Sequence, residues 1–144
     1  MLRKVNTTNL GILFLIQVNL FIFCHKTNEE HMFWTPIVPD VAKTTAVYGT
    51  IQNPTDSDVS ILSVSSNQYK TVEFHTITTD KEGIMRMRKI DYPIVIKPKE
   101  SIELSRNGTH LMLYEKENSS GELLIQIHFS NGLVQKHVVE KKSL

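Results

Sequence analysis

The sequence holds a single cysteine, Cys24, and none follows it. A domain built from the rest of the chain can form no internal disulfide, so its redox compartment cannot be read from bridges and has to come from a targeting segment. It also offers no thiolate, which excludes an electron-transfer cupredoxin of the blue-copper kind. An excess of positive charge is missing too. The formal charge of +1 includes Arg3, Lys4 and Lys26, and from residue 27 onward 13 Lys plus Arg stand against 15 Asp plus Glu, that is 13 − 15 = −2. Nucleic-acid binding needs clustered cations and is set aside. No G-x-S-x-G, H-E-x-x-H or Walker loop occurs, and no Ser/His/Asp set has supporting context, so catalysis is not expected. Internal repeats, low-complexity tracts and a sustained helical period are also absent. A length of 144 residues allows one domain with a short appendage.

What is present begins with a leader. Arg3 and Lys4 precede an apolar run over residues 9–24, interrupted only by Gln17 and Asn19. A basic start and a run shorter than the ~20 residues of a membrane-spanning helix predict a secretory signal over residues 1–24, with an uncleaved anchor as the alternative. Either lipidation at Cys24 or cleavage after it, leaving His25 at the new N-terminus, fits this segment. Residues 25–32 are polar and read as a flexible lead-in whose His25, His31 and Met32 are tail residues first and loose metal ligands second.

From Trp34 onward the pattern is β. Alternating runs rich in β-branched and aromatic residues occupy 44–53, 58–66, 70–77, 84–90, 101–105, 110–115, 123–129 and 133–140, with turn chemistry between them. The tightest hairpin signal is Ser130-Asn131-Gly132. About eight short strands at regular spacing predict an all-β sandwich over residues 33–140, with a tail at 141–144. Strand parity puts Leu123, Ile125, Ile127 and Phe129 on one face, and Leu111 and Leu113 opposite His110 and Met112.

Three of the four methionines after Met1, and two of the six histidines, fall between His75 and Met112. On the strand His110-Leu111-Met112-Leu113, the histidine and the methionine project together while the leucines turn inward. His75 is placed at the end of a strand, with Met85 and Met87 on one face of a neighbouring arm. Thioether sulfur is soft and uncharged, suits Cu(I), and is a poor ligand for Zn(II), Mg(II) or Ca(II); imidazole also suits copper. Such neutral donors let an ion go as readily as they hold it, and unlike thiolates they form no disulfide in an oxidising compartment. Considered alone, Met85 is first a core gap-filler, and His128 and His137 are solvated side chains.

The segments VEFH, GIMRMR, IKPKESIEL, NGTHLMLY and SNGLVQKHVV resemble the periplasmic copper chaperones called PCuAC, over roughly residues 33–140. That family's ligand pattern is H-x10-M-x21-H-x-M. Here eleven residues separate His75 from Met87 and twenty-two separate Met87 from His110, so each long gap is one longer. The extra residues fall in turns near 79–83 and 90–98, where insertion need not move a strand. The resemblance implies a cupredoxin-like or immunoglobulin-like β-sandwich that binds Cu(I) through His75, Met87, His110 and Met112. Parity leaves Met85 as an alternative to Met87. Met87 is preferred because it directly precedes Arg88, as in the family's M-x-M-R piece. The resemblance further implies a periplasmic protein that carries copper to an accepting protein, such as the CuA centre of cytochrome c oxidase or another copper chaperone; a monomer is expected, with a membrane tether if the leader is retained. The competing expectation is a β-sandwich adhesion or assembly module that binds no metal.

Overall fold

The computed structural model describes residues 32–143. The leader, His25 and His31 lie outside the described residues. Eleven strands follow in order: β1 (Phe33–Pro36), β2 (Thr45–Val47), β3 (Gly49–Gln52), β4 (Val59–Ser66), β5 (Tyr69–Thr79), β6 (Met85–Ile90), β7 (Ile94–Ile96), β8 (Ser101–Leu104), β9 (His110–Lys116), β10 (Leu123–Phe129) and β11 (Val134–Lys142). There is no helix among the described residues. The expected all-β class holds. The count exceeds eight because one expected strand is split and because β1 and the three-residue β7 are added.

The split has a local cause. The run 44–53 reads as one strand, but β2 pairs with β9 while β3 pairs with β8. Between them Tyr48 makes a single antiparallel bridge to Trp34, and Gly49 takes φ 148°. A Cβ at Gly49 would lie 3.0 Å from the Met32 carbonyl oxygen and 3.0 Å from the Phe33 ring. Glycine therefore permits both the backbone turn and the close passage of the chain entering β1.

Two main sheets result, one ordered β1-β11-β10-β4-β7 and the other β2-β9-β5-β6, with β3-β8 as a two-stranded third. The alternation read along 123–129 is met by burial: Leu123, Ile125, Ile127 and Phe129 are all in the core. Phe74, Leu111, Leu113, Val47 and Val72 face them from the second sheet. Each such side chain contributes about 1.5–3 kcal/mol by leaving water. The turn at Ser130–Gly132 joins β10 to β11, with Gly132 at φ 82° and the Phe129 N–H donating to the Leu133 carbonyl.

The core also fixes what the other face of the second sheet carries. Phe74 stands opposite Leu111 and Val72 opposite Leu113 in the antiparallel β5–β9 pair, all four buried. Parity turns the intervening pairs, His75 opposite His110 and Glu73 opposite Met112, to the face away from the core. On the other flank of β5, Lys89 stands opposite His75 and Met87 opposite Ile77. One face of one sheet thus bears His75, Met87, His110 and Met112.

Three local expectations are corrected here. His75 lies within β5, which continues to Thr79, because the β5–β6 hairpin extends further than the sequence suggests. Its turn is held by Asp80 Oδ1, which accepts from the backbone N–H groups of Glu82 and Ile84. Met85 does not fill the core: it is 60% exposed, because β6 is an edge strand that hydrogen-bonds only to β5. His137 is half-buried rather than solvated, its ring stacked on Phe33 at 4.1 Å, and His128 is half-buried as well.

Candidate metal centre

The β5–β9 register sets two imidazoles opposite one another across the strands, tilted by 31° with ring centroids 6.2 Å apart. His110 is 2% exposed. Rings surround the pair: Tyr48 lies 6.2 Å from His110, Trp34 lies 4.7 Å from Tyr48, and Tyr114 lies 6.1 Å from His75. Met112 is half-buried two residues along from His110 on the same face, between Ala46 of β2 and Glu73 of β5. The sequence-predicted His110–Met112 pair is therefore placed as strand parity requires.

Met87 stands apart from these three. It shares their face but lies on the exposed edge strand, 51% open to solvent. Its partner on β5 is Ile77, whereas the partner of Met112 is Glu73. Those two positions on β5 are separated by about 13 Å along the strand. His75 sits between them, so the two thioethers flank the imidazole pair from opposite diagonals. The alternative donor, Met85, lies two residues further out, opposite Thr79.

Hydrogen bonds define the electrostatics. Glu73 Oε2 lies 3.0 Å from His75 Nε2, and Glu73 Oε1 lies 2.6 Å from Lys89 Nζ. The Lys89 ammonium, and then the His75 bond, hold the Glu73 carboxyl below the usual carboxylate range. The other nitrogen of His75, Nδ1, is buried and has no hydrogen-bond partner among the described residues. On His110 the arrangement is reversed, with Nδ1 lying 3.1 Å from the Gly108 carbonyl oxygen.

An orphaned buried ring nitrogen is costly unless something binds it. The His75 ring lies 6.2 Å from that of His110, and Met112 stands on the same face two residues along β9. Among the described residues no three His, Cys, Asp or Glu side chains group to hold a metal ion. An ion held by these imidazoles together with the Met112 thioether would be a soft cation rather than Zn(II), Mg(II) or Ca(II). The donors present fit Cu(I). Glu73 was missed by sequence reasoning. Its only signal was its place two residues before His75, which puts both on one face of the strand.

The family described as "Putative lipoprotein LpqE-like" matches residues 30–123 of the chain. Uncharacterized protein RP573 of Rickettsia prowazekii (strain Madrid E) is 27% identical over 89 residues, covering 60% of this chain and 49% of that protein; the chain thus matches about half the length of this curated relative. Among solved structures, the copper-bound PCuAC domain from PmoF2 superposes with a TM-score of 0.61 at 14% identity, over 79% of this chain and 91% of that domain. The Cu(I) form of DR1885 from Deinococcus radiodurans gives a TM-score of 0.53 at 18% identity, over 78% of this chain and 76% of that one. The fold is that of PCuAC domains.

Proposed function

Given that the chain belongs to the LpqE-like family and has the PCuAC fold, we propose that it is a copper carrier: it binds Cu(I) outside the cytoplasm, in the periplasm, and releases it to an accepting protein. The observation that carries the reading is the buried, unpartnered Nδ1 of His75, whose ring lies 6.2 Å from that of His110, with Met112 on the same face. His75 and His110 supply nitrogen, Met112 supplies sulfur, and Met87 is the further thioether within the same face. Each donor is neutral, so the bound ion keeps its +1 charge and exchanges without a proton having to leave a thiol. The half-exposed Met87 and the open β6 edge give an acceptor a side from which to approach. Acceptors of suitable chemistry are the CuA centre of cytochrome c oxidase or a second copper chaperone. The leader would place the domain across the inner membrane, released or tethered, and no catalytic step is assigned.

The test is competition for Cu(I) against a colorimetric chelator such as bicinchoninate. The parent chain is expected to withdraw one equivalent, and His75→Ala and His110→Ala to withdraw far less. A parent chain that leaves the chelator complex intact refutes the carrier reading and favours a metal-free adhesion or assembly module.

A further inference from the structure

Resting on the copper reading, we infer that Glu73 is a positioning residue that selects the donor atoms: it claims Nε2 of His75 and so leaves Nδ1 to bind the ion, while His110 binds through Nε2. An ionised carboxylate only accepts hydrogen bonds. Glu73 Oε2 lies 3.0 Å from His75 Nε2, so in neutral His75 the ring proton must sit on Nε2 and donate to it. The opposite tautomer would set a lone pair against the carboxylate and bury an Nδ1–H with no acceptor. Tyr114 Oη, at 3.4 Å from the same Nε2, is the weaker neighbour and does not reverse this choice. On His110 the backbone carbonyl of Gly108 is likewise acceptor-only, so the proton sits on Nδ1 and the lone pair on Nε2.

The two histidines therefore present opposite nitrogens. Glu73 is itself held from behind. Lys89 binds its second oxygen, and the three side chains run from exposed to sheltered: the side chain of Lys89 is 48% exposed, that of Glu73 23% and that of His75 12%. A carboxylate oriented in this way fixes the tautomer and plane of a ligating imidazole and raises its basicity.

Imidazole 15N NMR on the metal-free chain at pH 8 tests the assignment without copper. His75 is expected to carry its proton on Nε2 and His110 on Nδ1. Glu73→Gln, whose amide can donate as readily as accept, should mix the His75 tautomers and leave those of His110 unchanged. In chelator competition Glu73→Gln should lose about 10–100-fold in Cu(I) affinity. Lys89→Met, which keeps the Glu73–His75 bond, should lose less. A His75 proton on Nδ1 in the parent, or a Glu73→Gln variant that keeps both the tautomer and the affinity, overturns the inference. A chain that binds no Cu(I) but shows the expected tautomers refutes the carrier reading, and with it the donor role of Nδ1, and leaves standing only the tautomers set by Glu73 and Gly108.

Discussion

Replacing Met112 by leucine separates sulfur chemistry from packing. Met112 is half-buried on the outer face of β9, between Ala46 and Glu73, and its neighbours Leu111 and Leu113 carry the core contacts. Leucine has a similar volume, and such swaps cost less than about 1.5 kcal/mol even inside a core. A half-buried site costs less again, so Tm should fall by a few degrees at most. The thioether, by contrast, is lost outright. Even residues that only support a ligand are worth about 10–100-fold in metal affinity, or about 1.4–2.7 kcal/mol, and a donor itself should cost at least that. Chelator competition for Cu(I), run beside thermal unfolding of the metal-free variant, reads both quantities. Affinity within twofold of the parent, with an intact fold, would refute the role given to Met112. Parallel loss of affinity and stability would mean that the side chain acts through packing.

Further outcomes follow from the same geometry. Met87→Leu and Met85→Leu are both expected to leave Tm within a degree or two, since each side chain is more than half exposed. Met87→Leu should weaken Cu(I) binding, whereas Met85→Leu should not; the reverse order would move the ligand two residues outward. Phe74→Ala removes a fully buried ring between the site strands and the opposite sheet, and should cost about 3–5 kcal/mol in urea unfolding; a loss under 1 kcal/mol would contradict the placement of the core. Glu73 gives a pH dependence of stability. Its folded pKa is lowered from the ordinary Glu value, chiefly by Lys89, so its contribution is fully present above the ordinary value and is lost as pH falls through the folded one. Glu73→Gln should flatten the decline in urea midpoint between pH 5 and 3, and a decline as steep as that of the parent would contradict the Glu73 assignment.

How much of this was legible beforehand depended on whether a feature is local. Leu111 and Leu113 against His110 and Met112, and Leu123 to Phe129 along β10, follow from a period of two that needs no partner strand. The Ser130–Gly132 hairpin follows from turn chemistry. The break at Tyr48–Gly49 was not visible, because two strands that change sheets keep one continuous alternation. Neither was the parallel pairing of β1 with β11, which joins the two ends of the described chain. Met85 was misread because an apolar residue on an alternating strand looks the same at a sheet edge as in a core. Glu73 escaped notice because its bond to Lys89 exists only once β5 and β6 are in register. Asn53, fully buried and donating to the carbonyls of Ser57, Ile96 and Lys97, was hidden inside what reads as an ordinary turn.

The central claim is that imidazoles and a thioether from separate parts of the chain converge on one soft ion. X-ray absorption at the copper edge of the chain loaded with one equivalent of Cu(I) tests it most directly. The expected spectrum is that of Cu(I) with both a nitrogen and a sulfur shell, the sulfur shell diminished by Met112→Leu. A spectrum with nitrogen and oxygen neighbours only, unchanged in that variant, would contradict the account.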